Sequence, residues 1–385
     1  MQDFSFYNPT RIEFGAGKIA RLDALVPANA RVLVLLGGES ARRSGTLDEV
    51  LTALGEREVQ VFNGIEPNPS FETLMKAVDQ VREQQLDYLL AVGGGSVIDG
   101  TKFVAAAALF NGDAWDILLQ GGQNVTSALP FGSVLTLPAT GSEMNKGSVI
   151  TRKSLAAKLP FASEHVYPQF SILDPVKTYT LPPRQIANGV VDAFMHVIEQ
   201  YLTYPAEAPV QDRFAEGLLQ TLIEVGPKAL ANPEDYQTRA SLMWTATLAL
   251  NGLIGSGVPQ DWATHMLGHE LTALHGLDHA QTLAIILPEM LRQRKAAKLG
   301  KLVQYAERVW NIDTGSDDDK AETAIECTRD FFEAVGVKTR LSDYGLGAEH
   351  IDNIIDSLTN HGMTKLGEHN DVTPEHCRQI LLASI

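Results

Sequence analysis

A strand with no polar face limits a fold more than any other short pattern, and this chain carries two. Arg31-Val32-Leu33-Val34-Leu35-Leu36 and Tyr88-Leu89-Leu90-Ala91-Val92 are nearly unbroken apolar runs. Side chains alternate across a strand, so such runs need cover on both faces. Glycines end each run, at Gly37-Gly38 and at Gly93-Gly94-Gly95. Val59-Gln60-Val61-Phe62, Ser133-Val134-Leu135-Thr136-Leu137 and Phe170-Ser171-Ile172-Leu173 read as further strands. Residues 71–84 carry Leu74, Ala77, Val78 and Val81 at helical spacing. The alternation predicts an α/β N-terminal domain over residues 1–180, a parallel sheet with helices on both faces. After Leu181-Pro182-Pro183 the pattern turns helical, which predicts an all-α domain over residues 181–385. Gly315-Ser316-Asp317-Asp318-Asp319 reads as a solvated acidic loop before a helix that starts near residue 320.

The charge balance narrows the partners. Lys and Arg number 31, Asp and Glu 47, for a net charge of −16. That field gives no electrostatic case for nucleic acid or for an anionic membrane surface. The first residues lack the basic and apolar regions of a secretory signal, and the apolar runs are too short to span a bilayer. Cys327 and Cys377 lie outside any CxxC pattern, so reduced thiols and a cytoplasmic protein are expected.

Two constellations carry chemistry. Gly93-Gly94-Gly95-Ser96 joins a buried strand to a helix, where backbone N–H groups and the helix N-terminus suit a phosphate. It is neither a G-x-G-x-x-G fingerprint nor a P-loop. Thr136-Leu137-Pro138-Ala139-Thr140-Gly141-Ser142 closes a neighbouring strand with hydroxyls. The second constellation is Asp192 and His196, then His265 and His269, then His279. Residues four apart share one helix face. A carboxylate with two or three imidazoles suits a catalytic divalent metal with one position open. Spacing alone does not separate His265 from His269. A zinc-protease reading fails because Met266, not Glu, follows His265.

These motifs agree in order and spacing with one family. The Gly-Gly-Gly-Ser loop with Asp99, the run from Thr136 to Glu143, and Asp192, His196, His265, His269 and His279 together resemble the iron-containing alcohol dehydrogenases. Within that family the chain is most similar to the broad-specificity NADPH-dependent aldehyde reductases and butanol dehydrogenases. The resemblance implies a dehydroquinate-synthase-like architecture with the active site in a cleft between the domains. It implies metal ligands at Asp192, His196, His265 and His279, and a place for His269 beside nicotinamide and substrate. It implies cofactor contacts at Gly37, Gly38, Ser40, Gly94, Gly95, Ser96, Asp99, Thr136, Thr140, Asn145 and Lys158, with Asn68 added. Asp99 and His269 are the catalytic candidates, His269 for proton delivery. Many family members have Pro-His-Gly at the last ligand, where this chain has Asp278-His279-Ala280.

The implied reaction is metal-dependent hydride transfer between NADP(H), or NAD(H), and small aldehydes or primary alcohols, with Fe²⁺ or Zn²⁺ as the ion. A homodimer is expected. NADP(H) is preferred because family members that use NAD carry an Asp where Gly38 stands, although Glu39 lies next to it. Two other readings compete. A cyclase or lyase of the same architecture needs a basic pocket, and no Lys/Arg cluster accompanies the metal residues. A metal- or nucleotide-sensing protein would bind without turnover.

Overall fold

The computed structural model describes residues 1–385. Two compact units account for the chain. One comprises Tyr7–Leu181 and Pro233–Thr247, the other Met1–Phe6, Pro182–Asn232 and Leu248–Ile385. Residues Pro233–Thr247 thus pack with the first unit, although they follow the first two helices of the second.

The first unit holds β1 (Arg11–Phe14), α1 (Leu22–Leu25), β2 (Arg31–Leu36), α2 (Ser40–Arg43), α3 (Thr46–Leu54), β3 (Glu58–Phe62) and α4 (Phe71–Glu83). It continues through β4 (Tyr88–Gly94), α5 (Gly95–Leu109), α6 (Asp116–Leu119), β5 (Phe131–Leu137), β6 (Gly147–Arg152), β7 (Ala157–Ala162) and β8 (Phe170–Leu173). Six strands form one sheet in the order β1-β8-β5-β4-β2-β3, and every pair in it is parallel. Alternate residues of β2 feed two cores. Leu33 and Leu35 pack with Leu74, Val78 and Phe103 on one face. Val32, Val34 and Leu36 pack with Leu22, Leu47 and Val50 on the other. This is the physical meaning of an apolar run without alternation.

The strand order reverses direction between β2 and β4. In open α/β sheets such a switch point opens a crevice beyond the carboxyl ends of the strands. The loops after β2 and β4 emerge there. β6 and β7 form a separate antiparallel hairpin, which the sequence pattern did not indicate.

The remaining helices are α7 (Pro183–Tyr201), α8 (Pro209–Ala231), α9 (Tyr236–Ala249), α10 (Ala263–His275) and α11 (His279–Gln293). They are followed by α12 (Lys295–Val309), α13 (Asp317–Ala334), α14 (Ile351–Asn360) and α15 (Pro374–Ala383). Helix α7 is buried along nearly its whole length. It must therefore hide polar groups as well as apolar ones, and Asp192, His196 and Glu199 are among them. Gly268 lets α10 approach α11: a Cβ there would meet Thr282 Oγ1 at 2.9 Å. The expected acidic loop before residue 320 is corrected. Asp317, Asp318 and Asp319 form the first turn of α13, capped by Ser316. Carboxylates at a helix N-terminus are favoured by its unpaired N–H groups and dipole.

Candidate functional site

In the sheet unit the glycine loop closes against its neighbours. β4 runs into Gly94, and α5 begins at Gly95. A Cβ on Gly95 would stand 2.4 Å from Thr140 Oγ1, so only glycine allows the loops after β4 and β5 to touch. Thr140 Oγ1 accepts from the Ser142 amide at 3.2 Å. Ser96 and Thr136 are half-buried near the same strand ends. Across the switch point, Gly37 and Gly38 leave β2 and Ser40 opens α2, with Gly38 and Ser40 exposed.

Several candidates are held by the protein itself. Asp99 accepts from Ser142 Oγ at 2.5 Å and from the Val149 amide at 2.9 Å. Burial raises the Asp99 pKa, against the lowering influence of Lys102 and of these hydrogen bonds. Asn145 Oδ1 accepts from Lys102 Nζ at 2.9 Å, and its amide donates to Gly141 O at 2.9 Å. Lys158, on β7, donates to Asn68 Oδ1 at 2.9 Å. Asn68 sits in the left-handed region at φ 55°. Lys102 was not singled out from the sequence. It is fully buried, and burial pushes its pKa down to about 8 against the pull of Asp99 and Glu143.

The helical unit brings together the residues that the sequence spaced along α7, α10 and α11. Donor atoms of Asp192, His265 and His279 lie within 4.8 Å of one another. Asp192 Oδ1 is 3.7 Å from His279 Nε2 and 3.9 Å from His196 Nε2. The His196 ring stacks on His265, centroids 5.0 Å apart. His269 is buried beside this group, its ring centroid 5.4 Å from that of His279. Asp192 Oδ1 is buried and makes no hydrogen bond within the protein, an arrangement that costs free energy unless a cation is bound. Metal–ligand bonds of about 2.0–2.2 Å set tetrahedral donors roughly 3.3–3.6 Å apart. The two spacings from Asp192 Oδ1 are a few tenths of an ångström wider, and the Asp192, His265 and His279 donors gather within 4.8 Å, so the donor set has the chemistry of a divalent-ion site that would contract on binding.

The loop before α10 supports His265. Trp262 takes a left-handed backbone at φ 65°, and its ring packs 5.1 Å from His265 and 6.2 Å from His196. Glu199, one further position along the Asp192–His196 stripe, pairs with His265 Nδ1. Burial and the nearby Asp261 carboxylate raise the Glu199 pKa, while the Thr264 and His265 amides oppose the shift. Glu199 also escaped the sequence reading. Its signal was present as Asp192, His196 and Glu199 at steps of four and three.

The chain belongs to the iron-containing alcohol dehydrogenase family: the model for iron-containing alcohol dehydrogenase matches residues 9–175, and that for the family's C-terminal part matches residues 186–385. It lies in the aldehyde-reductase branch and has the dehydroquinate-synthase-like fold. Its sequence is 60% identical to the NADPH-dependent aldehyde reductase YqhD of Escherichia coli, over 100% of both chains. It is 42% identical to a probable NADH-dependent butanol dehydrogenase of Bacillus subtilis, again over 100% of both. Among solved structures, the substrate- and cofactor-free E. coli reductase superposes with a TM-score of 0.93 at 58% identity, covering 100% of both chains. The NADH-dependent butanol dehydrogenase A of Thermotoga maritima gives 0.95 at 33% identity, covering 100% of this chain and 99% of that one.

Proposed function

We propose that this protein is an NADPH-dependent aldehyde reductase that interconverts small aldehydes and primary alcohols. The observation that carries the reading is the buried Asp192 Oδ1, without a hydrogen bond and flanked by the Nε2 atoms of His196 and His279. Asp192, His196, His265 and His279 would hold Fe²⁺ or Zn²⁺; carboxylate and imidazole ligands suit both, and the Irving–Williams order favours zinc where both are available. When bound, the ion supplies Lewis acidity toward a carbonyl oxygen and the nicotinamide supplies hydride.

The protein's own residues supply the rest. Asp192 brings one negative charge to the cation, and the neutral imidazoles bring none. Trp262 covers the His196 and His265 rings and limits water there. His269, the imidazole beside the ligand set, delivers a proton from a ring nitrogen. The sheet unit is the nucleotide domain and the helical unit the metal domain. Gly94, Gly95 and Ser96, at the N-terminus of α5, would hold the pyrophosphate. Gly37, Gly38 and Ser40 would hold the adenosine ribose, and Gly38, where a Cβ would meet nothing within 4 Å, would leave room for a 2′-phosphate. Thr136, Thr140 and Lys158 complete the cofactor contacts. Asp99 and Asn145 anchor the surrounding turns, and Asn68 holds Lys158.

The protein acts in the cytoplasm as a homodimer. No helix is long and apolar enough to cross a membrane, and both cysteines are free. One edge of β1 has no partner in the sheet, and the half-exposed Trp244 stands beside Phe14 at that edge. NADPH oxidation with a panel of short aldehydes tests the activity, and light scattering on the purified protein tests the dimer. Stoichiometric NADPH or metal binding without turnover of any aldehyde would favour the sensing reading.

A further inference from the structure

We propose that Glu199 is a positioning residue for the metal site, acting through His265. The proposal rests on the reading of Asp192, His196, His265 and His279 as ligands. Glu199 lies on the same stripe of α7 as Asp192 and His196, and its side chain is 2% exposed. Its carboxylate takes three donors from the start of α10. Oε1 accepts from the Thr264 amide at 2.7 Å, and Oε2 accepts from the His265 amide at 3.3 Å and pairs with His265 Nδ1. Two backbone bonds fix the plane of the carboxylate, and the imidazole bond then fixes the ring. With the proton on Nδ1 directed at Glu199, the lone pair sits on Nε2, the nitrogen left to coordinate. A carboxylate behind a ligating histidine sets the tautomer and raises ligand basicity.

The support for Glu199 extends one layer deeper. The Asp261 amide donates to Glu199 O at 2.8 Å, and Asp261 Oδ1 accepts from the Ala263 amide at 2.9 Å. Lys298 Nζ binds Asp261 Oδ2 at 2.9 Å, Leu202 O at 2.6 Å and Glu368 Oε1 at 2.6 Å. The end of α7 and the start of α10 are thus pinned to one buried ammonium. The same helix therefore supplies two ligands directly and orients a third from across the contact.

The test is a double-mutant cycle read by metal affinity. Metal-free wild type, Glu199→Gln, His265→Ala and the double variant are titrated with Zn²⁺ against a chromophoric chelator, with the melting temperature of each metal-free protein measured alongside. A glutamine keeps the size and loses the charge. Glu199→Gln is expected to weaken Zn²⁺ binding 10–100-fold when His265 is present, and by less than about 2-fold when His265 is alanine. Unchanged affinity in Glu199→Gln, or an equal loss in both backgrounds, overturns the proposal. A wild type that binds no Zn²⁺, or a His265→Ala variant that binds it as well as wild type does, marks failure of the ligand reading instead. If Glu199→Gln does not fold, Glu199→Asp retracts the carboxylate while keeping its charge. The same dependence on His265 is expected, and its absence is equally decisive.

Discussion

Asn188 Nδ2 donates to Asp278 Oδ2 at 2.8 Å, tying the helix that carries Asp192 to the residue that precedes His279. Arg184, one turn earlier on α7, reaches the same carboxylate at 2.8 Å, and the Asp278 amide donates to Gln281 Oε1 at 3.0 Å. The start of α11 is thus fixed by side-chain bonds to Asp278. Asp278→Ala is expected to destabilise the protein by about 1 kcal/mol and to weaken metal binding several-fold. Thermal unfolding and metal titration of the same sample check it. A variant with wild-type affinity would show that His279 holds its place without Asp278.

His269 separates ligand from proton donor. His269→Ala should retain one metal per chain, lower kcat at least 10-fold and change its pH dependence, because general acid–base groups contribute on the order of 10²–10⁴. Metal analysis beside a kcat–pH profile distinguishes this from His265→Ala, which should bind the metal much more weakly.

Cofactor choice turns on the loop after β2. Glu39 Oε1 accepts from Asn63 Nδ2 at 3.0 Å, and its other oxygen lies 3.9 Å from Arg42 Nε. Its side chain is 59% exposed, so solvent and Arg42 screen the charge that otherwise counts against NADP(H). A Cβ at Gly38 meets nothing within 4 Å, so Gly38→Asp can be made without a clash. The new carboxylate should weaken NADPH by roughly 1–3 kcal/mol and NADH far less. The kcat/KM values for both cofactors, in wild type and variant, check the prediction. A wild-type preference for NADH would point to Glu39 as the deciding residue.

Lys102 predicts an alkaline signature. Its folded pKa of about 8 lies below the ordinary 10.5, so between these values the unfolded chain binds the additional proton. Stability from this group therefore rises with pH across that window and is flat below it. Glu143 and Asp99 act oppositely, since burial raises both, and losing Lys102 raises them further. The stability of wild type relative to Lys102→Met should accordingly increase from pH 7.5 to 9.5. Denaturant titrations at the two pH values measure it, and a constant difference would contradict the assignment.

The buried strands were legible because a run such as Val32 to Leu36 has one physical use. β1 was not: Arg11-Ile12-Glu13-Phe14 is four residues long and half polar. The β6–β7 hairpin was hidden by Pro160, which reads as a strand breaker but is tolerated in a two-stranded ribbon. The clustering of Asp192, His196, His265, His269 and His279 was legible because helical spacing converts directly into shared faces, although spacing alone did not separate His265 from His269. Lys102 and Glu199 were not, because a charged residue in a helix reads as solvent-facing until its burial is known. The packing of residues 233–247 with the sheet unit has no local signal, since long-range contacts decide it.

On the proposed reading, Asp192, His196, His265 and His279 hold a divalent ion on which NADPH-dependent aldehyde reduction depends. The most direct measurement is the rate of NADPH oxidation with butanal, with metal content per chain, before chelation, after chelation, and after return of Fe²⁺ or Zn²⁺. The account predicts about one ion per chain, loss of the rate with the ion, recovery on its return, and neither binding nor recovery in Asp192→Ala. An undiminished rate from protein shown to be free of metal would contradict it.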